Sequence, residues 1–103
     1  MNSDLLILYS RKGCCLCETL EKKLSNICLS NLKPSLVLSI VDIDCKKVPV
    51  DIQMKYTNEV PVIILDSTKL LKKIELPRVS PRLKEDMLLS WIQKNLNNLY
   101  GKS

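Results

Sequence analysis

Leu5-Leu6-Ile7-Leu8-Tyr9-Ser10-Arg11-Lys12-Gly13-Cys14-Cys15-Leu16-Cys17-Glu18 is the stretch whose reading decides the fold of this chain. Leu5–Tyr9 is short, apolar and continuous, the pattern of a buried strand. Ser10–Gly13 is polar and ends on a glycine, the pattern of a loop. From Cys15 to about Leu29 the apolar residues Cys17, Leu20, Leu24, Ile27 and Cys28 recur at helical spacing. Cys14 and Cys17 therefore form a Cys-x-x-Cys pair between a strand and a helix, the setting of reversible thiol–disulfide chemistry. A helix start supplies unpaired N–H groups and a positive dipole end, which favour thiolate over thiol. Arg11 and Lys12 add positive charge beside it.

Working outward, Leu36–Ile43 reads as a second strand with apolar residues at both parities, as expected when both faces are covered. A helix joins it to the first strand, so the two should be parallel and the crossover right-handed. Pro49 opens a short helix, Val50–Tyr56. Val60–Leu65 reads as a third strand with Pro61 near its start, a place suited to an edge or a cis bond. Asp66–Thr68 reads as a turn, and Lys69–Leu76 as a fourth, antiparallel strand. Ser80-Pro81 carries the signal of a helix cap and first helical residue. The last helix should run to about Leu99, with Leu83, Met87, Leu88, Trp91, Ile92 and Leu96 buried and Gly101 past its end. The order β-α-β-α-β-β-α implies an α/β fold: one four-stranded mixed sheet with helices on both faces.

The chain has 103 residues, 46% apolar and 26% charged, which suits one globular domain over residues 1–103. Its net charge of +5 comes from scattered Lys and Arg, and aromatics are only 4%. Neither a nucleic-acid site nor a stacking platform is expected. No apolar run approaches the about 18 residues of a membrane span, and no secretory leader is evident, so a cytoplasmic location is expected; a monomer is expected as well. There is no histidine. A Cys–His nucleophile pair and a histidine metal ligand are excluded.

These residues resemble the thioredoxin fold, and most closely a glutaredoxin-like family with a small Cys-x-Leu-Cys branch. The likeness rests on Leu8 through Glu18, on Val41-Asp42-Ile43-Asp44, on Val60-Pro61-Val62 and on Leu76 through Arg82, and spans nearly the whole chain. It implies that Cys14 attacks a disulfide and Cys17 resolves it. It also implies that Pro61 is cis and faces the cysteines, leaving the backbone of Val60 to pair an extended substrate. Cys15-Leu16 stands where glutaredoxins carry Pro-Tyr, and Arg78-Val79-Ser80 where they carry a Gly-Gly pair that helps hold glutathione.

The expected function is thiol–disulfide oxidoreduction on protein or small-thiol disulfides. No cofactor is required, and glutathione is a candidate electron donor. Cys14 and Cys17 are the catalytic pair; Lys12, Val60, Pro61 and Arg78 contact substrate, with Arg78 and Arg82 able to pair a carboxylate. Two alternatives stay open: a cluster- or metal-handling protein, and a non-catalytic interaction domain on the same scaffold. Cys28, eleven positions after Cys17, should lie about 16 Å along the same helix as a buried core residue. Cys45, after the second strand, should lie at the same sheet edge as Cys14.

Overall fold

The computed structural model describes residues 4–33, 35–68 and 71–100. The elements are β1 (Asp4–Ser10), α1 (Cys15–Asn26), a 3₁₀ turn (Leu29–Asn31), β2 (Leu36–Asp42), α2 (Val50–Tyr56), β3 (Val62–Ser67), β4 (Lys72–Glu75) and α3 (Glu85–Tyr100). The strands form one mixed sheet in the order β2-β1-β3-β4. β1 and β2 are parallel, with Ser10 level with Asp42. β3 runs antiparallel to both β1 and β4.

Alternation along β1 divides its side chains between two cores. Leu6 and Leu8 face α1 and α3, where they pack with Leu20, Leu24, Leu65, Leu88, Ile92 and Leu96. Ile7 and Tyr9 face α2, where they meet Ile43, Val62, Ile64 and Tyr56. Having cover on both faces, β1 is buried nearly throughout, which is why it reads as an unbroken apolar run. α2 is held by stacking of Tyr56 on Tyr9, 5.8 Å between ring centres, and by the Tyr56 hydroxyl donating to Glu75 at 3.0 Å.

At the end of the sheet remote from the cysteines, Asp4 is buried and carries a polar cluster. It accepts from Thr68 N–H at 3.1 Å and Thr68 Oγ1 at 2.9 Å, and from the Tyr100 hydroxyl. Ser67 Oγ is 2.6 Å from that hydroxyl. The cluster fastens the last turn of α3 to β1 and β3.

Several elements depart from the sequence expectation. α1 ends at Asn26, because Ser25, Asn26 and the β-branched Ile27 are weak helix formers and Ile27 is already extended. The chain then turns Leu29 and Leu32 into the core. Cys28 is consequently exposed, with Sγ 3.3 Å from Ser30 Oγ, and is not a core residue of the helix. β3 begins after Pro61 and takes in Asp66 and Ser67. β4 begins at Lys72; Lys69, Leu70 and Gly101 lie outside the described residues.

α3 begins at Glu85, not at Pro81. Ser80-Pro81 forms a separate turn in which Ser80 Oγ accepts from Arg82 N–H at 3.2 Å and Ser80 C=O from Leu83 N–H at 3.1 Å. Lys23 of α1 braces that segment, its Nζ donating to the carbonyls of Pro81 at 2.5 Å and Leu83 at 2.8 Å. The buried face of α3 is Leu88, Ile92 and Leu96; Leu83 and Trp91 are half-buried, and Met87 is exposed.

Candidate functional site

β1 delivers the chain to the site loop at Ser10. Gly13, at φ +81°, holds a left-handed conformation that a side chain would strain. This closes the turn in which Cys14 N–H donates to Arg11 C=O at 3.2 Å. Cys14 is then the N-cap of α1. Its carbonyl accepts from Glu18 N–H at 3.0 Å, and its Sγ accepts from Cys17 N–H at 3.2 Å. A sulfur thus occupies the place where a capping serine or aspartate oxygen usually sits.

The two cysteines differ sharply in environment. Cys14 is partly exposed, whereas Cys17 is fully buried on the inner face of α1. Burial and the adjoining Cys14 sulfur push the Cys17 thiol up from 9.0 to about 12, against a smaller opposing backbone hydrogen bond from Arg11. Cys15 points outward beside exposed Leu16, away from the pair.

Arg11 is the link that sequence reading did not anticipate. Its Nε and Nη2 grip Asp44 in a two-bond fork at 2.8 and 3.0 Å. Its Nη1 and Nη2 also donate to the carbonyl and hydroxyl of Thr57 at 2.8 and 2.7 Å. The guanidinium holds the Asp44 carboxyl below its usual range, and Asp44 in turn raises Arg11. Much of the Arg11 charge is therefore answered by Asp44. Lys12 is exposed at the mouth of the loop.

The Val60–Pro61 peptide bond is cis. Tyr9 is level with Val62, so one step further puts Pro61 level with Ser10, at the end of the sheet where the cysteine loop begins. Val60 N–H is not available to a substrate: it donates to Tyr56 C=O at 3.2 Å, completing the end of α2. Arg78 is engaged too, with Nη1 3.0 Å from Glu59 Oε1 in a surface ion pair. Cys45 is exposed in the turn after β2, one residue from Asp44. Among the described residues, no three cysteine or acidic side chains are grouped to hold a metal ion. Nor is any described helix long and apolar enough to cross a membrane.

Of the sequence-predicted residues, Cys14, Cys17, Lys12 and Pro61 sit at one end of the sheet. Val60 lies there with its N–H already used, and Arg78 lies on the strand-to-helix connection, bound to Glu59. Asp44 and Arg11 each belong to a stretch legible in the sequence, but their pairing does not announce itself, and nothing in the sequence singles out Thr57 or Lys23.

No curated protein matches this chain. A solved structure described as "Structure of a malarial protein" is similar in fold, with a TM-score of 0.60 and 21% identity, covering 92% of this chain and 99% of its own. Residues 5–93 match the family described as "Glutaredoxin-like domain (DUF836)". That span runs from the first strand to the middle of α3 and includes the whole cysteine loop, so the chain belongs to this glutaredoxin-like family, redox-type proteins of the thioredoxin fold.

Proposed function

We propose that the protein is a thiol–disulfide oxidoreductase in which Cys14 attacks and Cys17 resolves. The observation that carries this reading is the asymmetric pair: a partly exposed Cys14 sulfur at the start of α1, accepting from Cys17 N–H, beside a buried Cys17 thiol. The capping N–H and the helix dipole both stabilise negative charge on Cys14 Sγ, the charge it needs as nucleophile.

Cys14 thiolate attacks one sulfur of a substrate disulfide. The substrate S–S bond breaks, one half leaves as a thiolate that takes up a proton, and the other stays joined to Cys14. Cys17 then gives up its proton and attacks Cys14 Sγ, expelling the second half as a thiol. Two electrons have passed to the substrate and the protein holds a Cys14–Cys17 disulfide. A thiol donor, with glutathione as the candidate, restores it by the reverse exchange. The exposed thiols of Cys15, Cys28 and Cys45 suit a reducing compartment such as the cytoplasm. Lys12 and Pro61 are the near contacts for substrate. Arg78 reaches a substrate carboxylate by exchanging it for Glu59, a small loss for a surface pair.

The test is trapping with Cys17→Ser. The expected result is a stable mixed disulfide at Cys14, identified by mass spectrometry, with turnover of a model disulfide lost in Cys14→Ser. Absence of any reversible Cys14–Cys17 disulfide in a redox titration overturns the reading.

A further inference from the structure

The two edges of the sheet are treated differently. β4 is four residues long and presents exposed Lys72 and Lys73, a usual defence against pairing with another strand. β2 is seven residues, Leu36-Val37-Leu38-Ser39-Ile40-Val41-Asp42, with no Lys, Pro or Gly. β1 lies on one side of it, and no strand of the described residues lies on the other.

The direction of its backbone groups follows from the ladder. Ser10 is level with Asp42, and its carbonyl accepts from Ile43 N–H at 2.8 Å. In a parallel pair this puts the N–H and C=O groups of odd-numbered β2 residues toward β1. Those of Leu36, Leu38, Ile40 and Asp42 lie on the side away from β1, although the Asp42 carbonyl already accepts from Cys45 N–H at 3.0 Å. These four positions are symmetric about Ser39.

The side chains share that symmetry. Val37-Leu38-Ser39-Ile40-Val41 reads almost the same in both directions. Val37 is 50% exposed and Ile40 43% exposed, on opposite faces of the strand, and their mirror positions Val41 and Leu38 are half-buried.

We propose that β2 pairs antiparallel with β2 of a second copy of this chain about a two-fold axis at Ser39, joining two four-stranded sheets into one. The outward groups of Leu38 then bond those of Ile40 in the second copy, and Asp42 N–H donates to the Leu36 carbonyl, a short antiparallel ladder that the turn after β2 ends at the Asp42 carbonyl. Val37 packs on Val41 of the second copy on the α2 face, and Ile40 on Leu38 on the α1 face. Each half-exposed aliphatic residue meets an aliphatic neighbour, the favoured cross-strand pairing. Occupation by a second copy is specified by the near-palindrome, since an unrelated strand would not need the edge to be symmetric about its own centre. Both cysteine sites stay open, because Cys14 lies at the end of α1 and not along the outer side of β2.

The test is sedimentation of the full chain under reducing conditions, which removes links through Cys28 or Cys45. The mass should rise from 11.8 kDa toward twice that value as concentration increases from micromolar to millimolar. Ile40→Lys and Val37→Lys should hold it at one chain with unchanged far-ultraviolet circular dichroism. A second readout does not depend on those variants. At a non-hydrogen-bonded antiparallel pair the Cα atoms are about 4.5 Å apart, within disulfide reach. Ser39→Cys should therefore crosslink through position 39 of both copies on mild oxidation, as peptide mapping would show. One-chain mass at every concentration, a dimer unaffected by Ile40→Lys, or crosslinks from position 39 only to the native cysteines would each overturn the proposal.

Discussion

Cys17 N–H donates to Cys14 Sγ at 3.2 Å, so the partly exposed cysteine caps the backbone of the buried one, whose own thiol stays out of water. One residue thus holds its partner's sulfur in place and keeps its own in reserve. Under native conditions near neutral pH, iodoacetamide should label Cys15, Cys28 and Cys45 readily and Cys14 as well, and should leave Cys17 unmodified until the protein is denatured. Peptide mass mapping before and after denaturation checks this.

If Cys17 resolves the mixed disulfide, its raised thiol pKa sets the pH dependence of that step. Only the thiolate attacks, and the thiol is pushed up to about 12 chiefly by burial. The rate of resolution should climb by about tenfold per pH unit while the thiol remains mostly protonated. Stopped-flow release from a preformed Cys14 mixed disulfide measures it. A rate flat from neutral to mildly alkaline pH would show that burial does not govern the step.

Stability should show a broad plateau with losses at both ends. Asp4 is pushed up by burial, but hydrogen bonds from Tyr100 and Thr68 together outweigh this and leave it below 3.8; Asp44 is lowered by Arg11. A lowered carboxyl stabilises the fold above its unfolded value, and that contribution is lost as pH falls through the folded value. Cys17, Tyr56 and Tyr100 are raised, mainly by burial. Their contributions are intact below the unfolded values of 9.0 for the thiol and 10.0 for the phenols, and are lost as pH rises beyond them. Urea midpoints across a pH series should fall below 3.8 and above 9.0, and Asp4→Asn should flatten the acid limb.

Removing the Tyr100 hydroxyl should weaken the docking of α3. Tyr100→Phe leaves the buried Asp4 carboxylate without one of its donors, a loss of about 1–3 kcal/mol. In a domain of this size the midpoint temperature falls by roughly 4–8 °C per kcal/mol. Leu88→Ala, at a fully buried position between α3 and the sheet, should cost about 2–5 kcal/mol by opening a cavity. Thermal denaturation of both variants separates the polar clasp from the apolar core.

Lys23→Met should act on the 77–84 connection without disturbing the cysteines. The Lys23 ammonium is the donor to the carbonyls of Pro81 and Leu83, and methionine keeps the bulk but not the bonds. Limited proteolysis should cut that connection faster in the variant, while alkylation of Cys14 proceeds at the native rate.

The fold was legible where periodicity and burial agree. Leu5–Tyr9 is apolar at every position because the strand is covered on both faces, and Leu20, Leu24, Leu88, Ile92 and Leu96 recur as a helix face must. The cysteine pair was legible because one glycine and one helix start are local features. The misreadings arose where distant contacts override local signals. Ser80-Pro81 looks like a helix start, yet Lys23, 58 positions before Pro81, binds the carbonyls there and the helix waits until Glu85. Cys28 and Met87 fit the apolar period and are nevertheless exposed, one because α1 ends early and the other because it falls at the rim of the α3 face. Arg11 reads as a charge beside the thiols, but its fork closes on a residue 33 positions away and its remaining donors on one 46 away.

That clasp has a consequence for what counts as the smallest working unit. Both sulfurs sit within four consecutive positions, which invites the notion that a short peptide would reproduce their chemistry. Yet Arg11 anchors the loop to the turn after β2 and to the segment after α2, and Cys17 is dry only because the rest of the chain folds over the inner face of α1. A fragment ending before β2 would carry every atom of the pair and almost none of the asymmetry between its members. The reactivity is a property of the closed chain, written locally and enforced from far away.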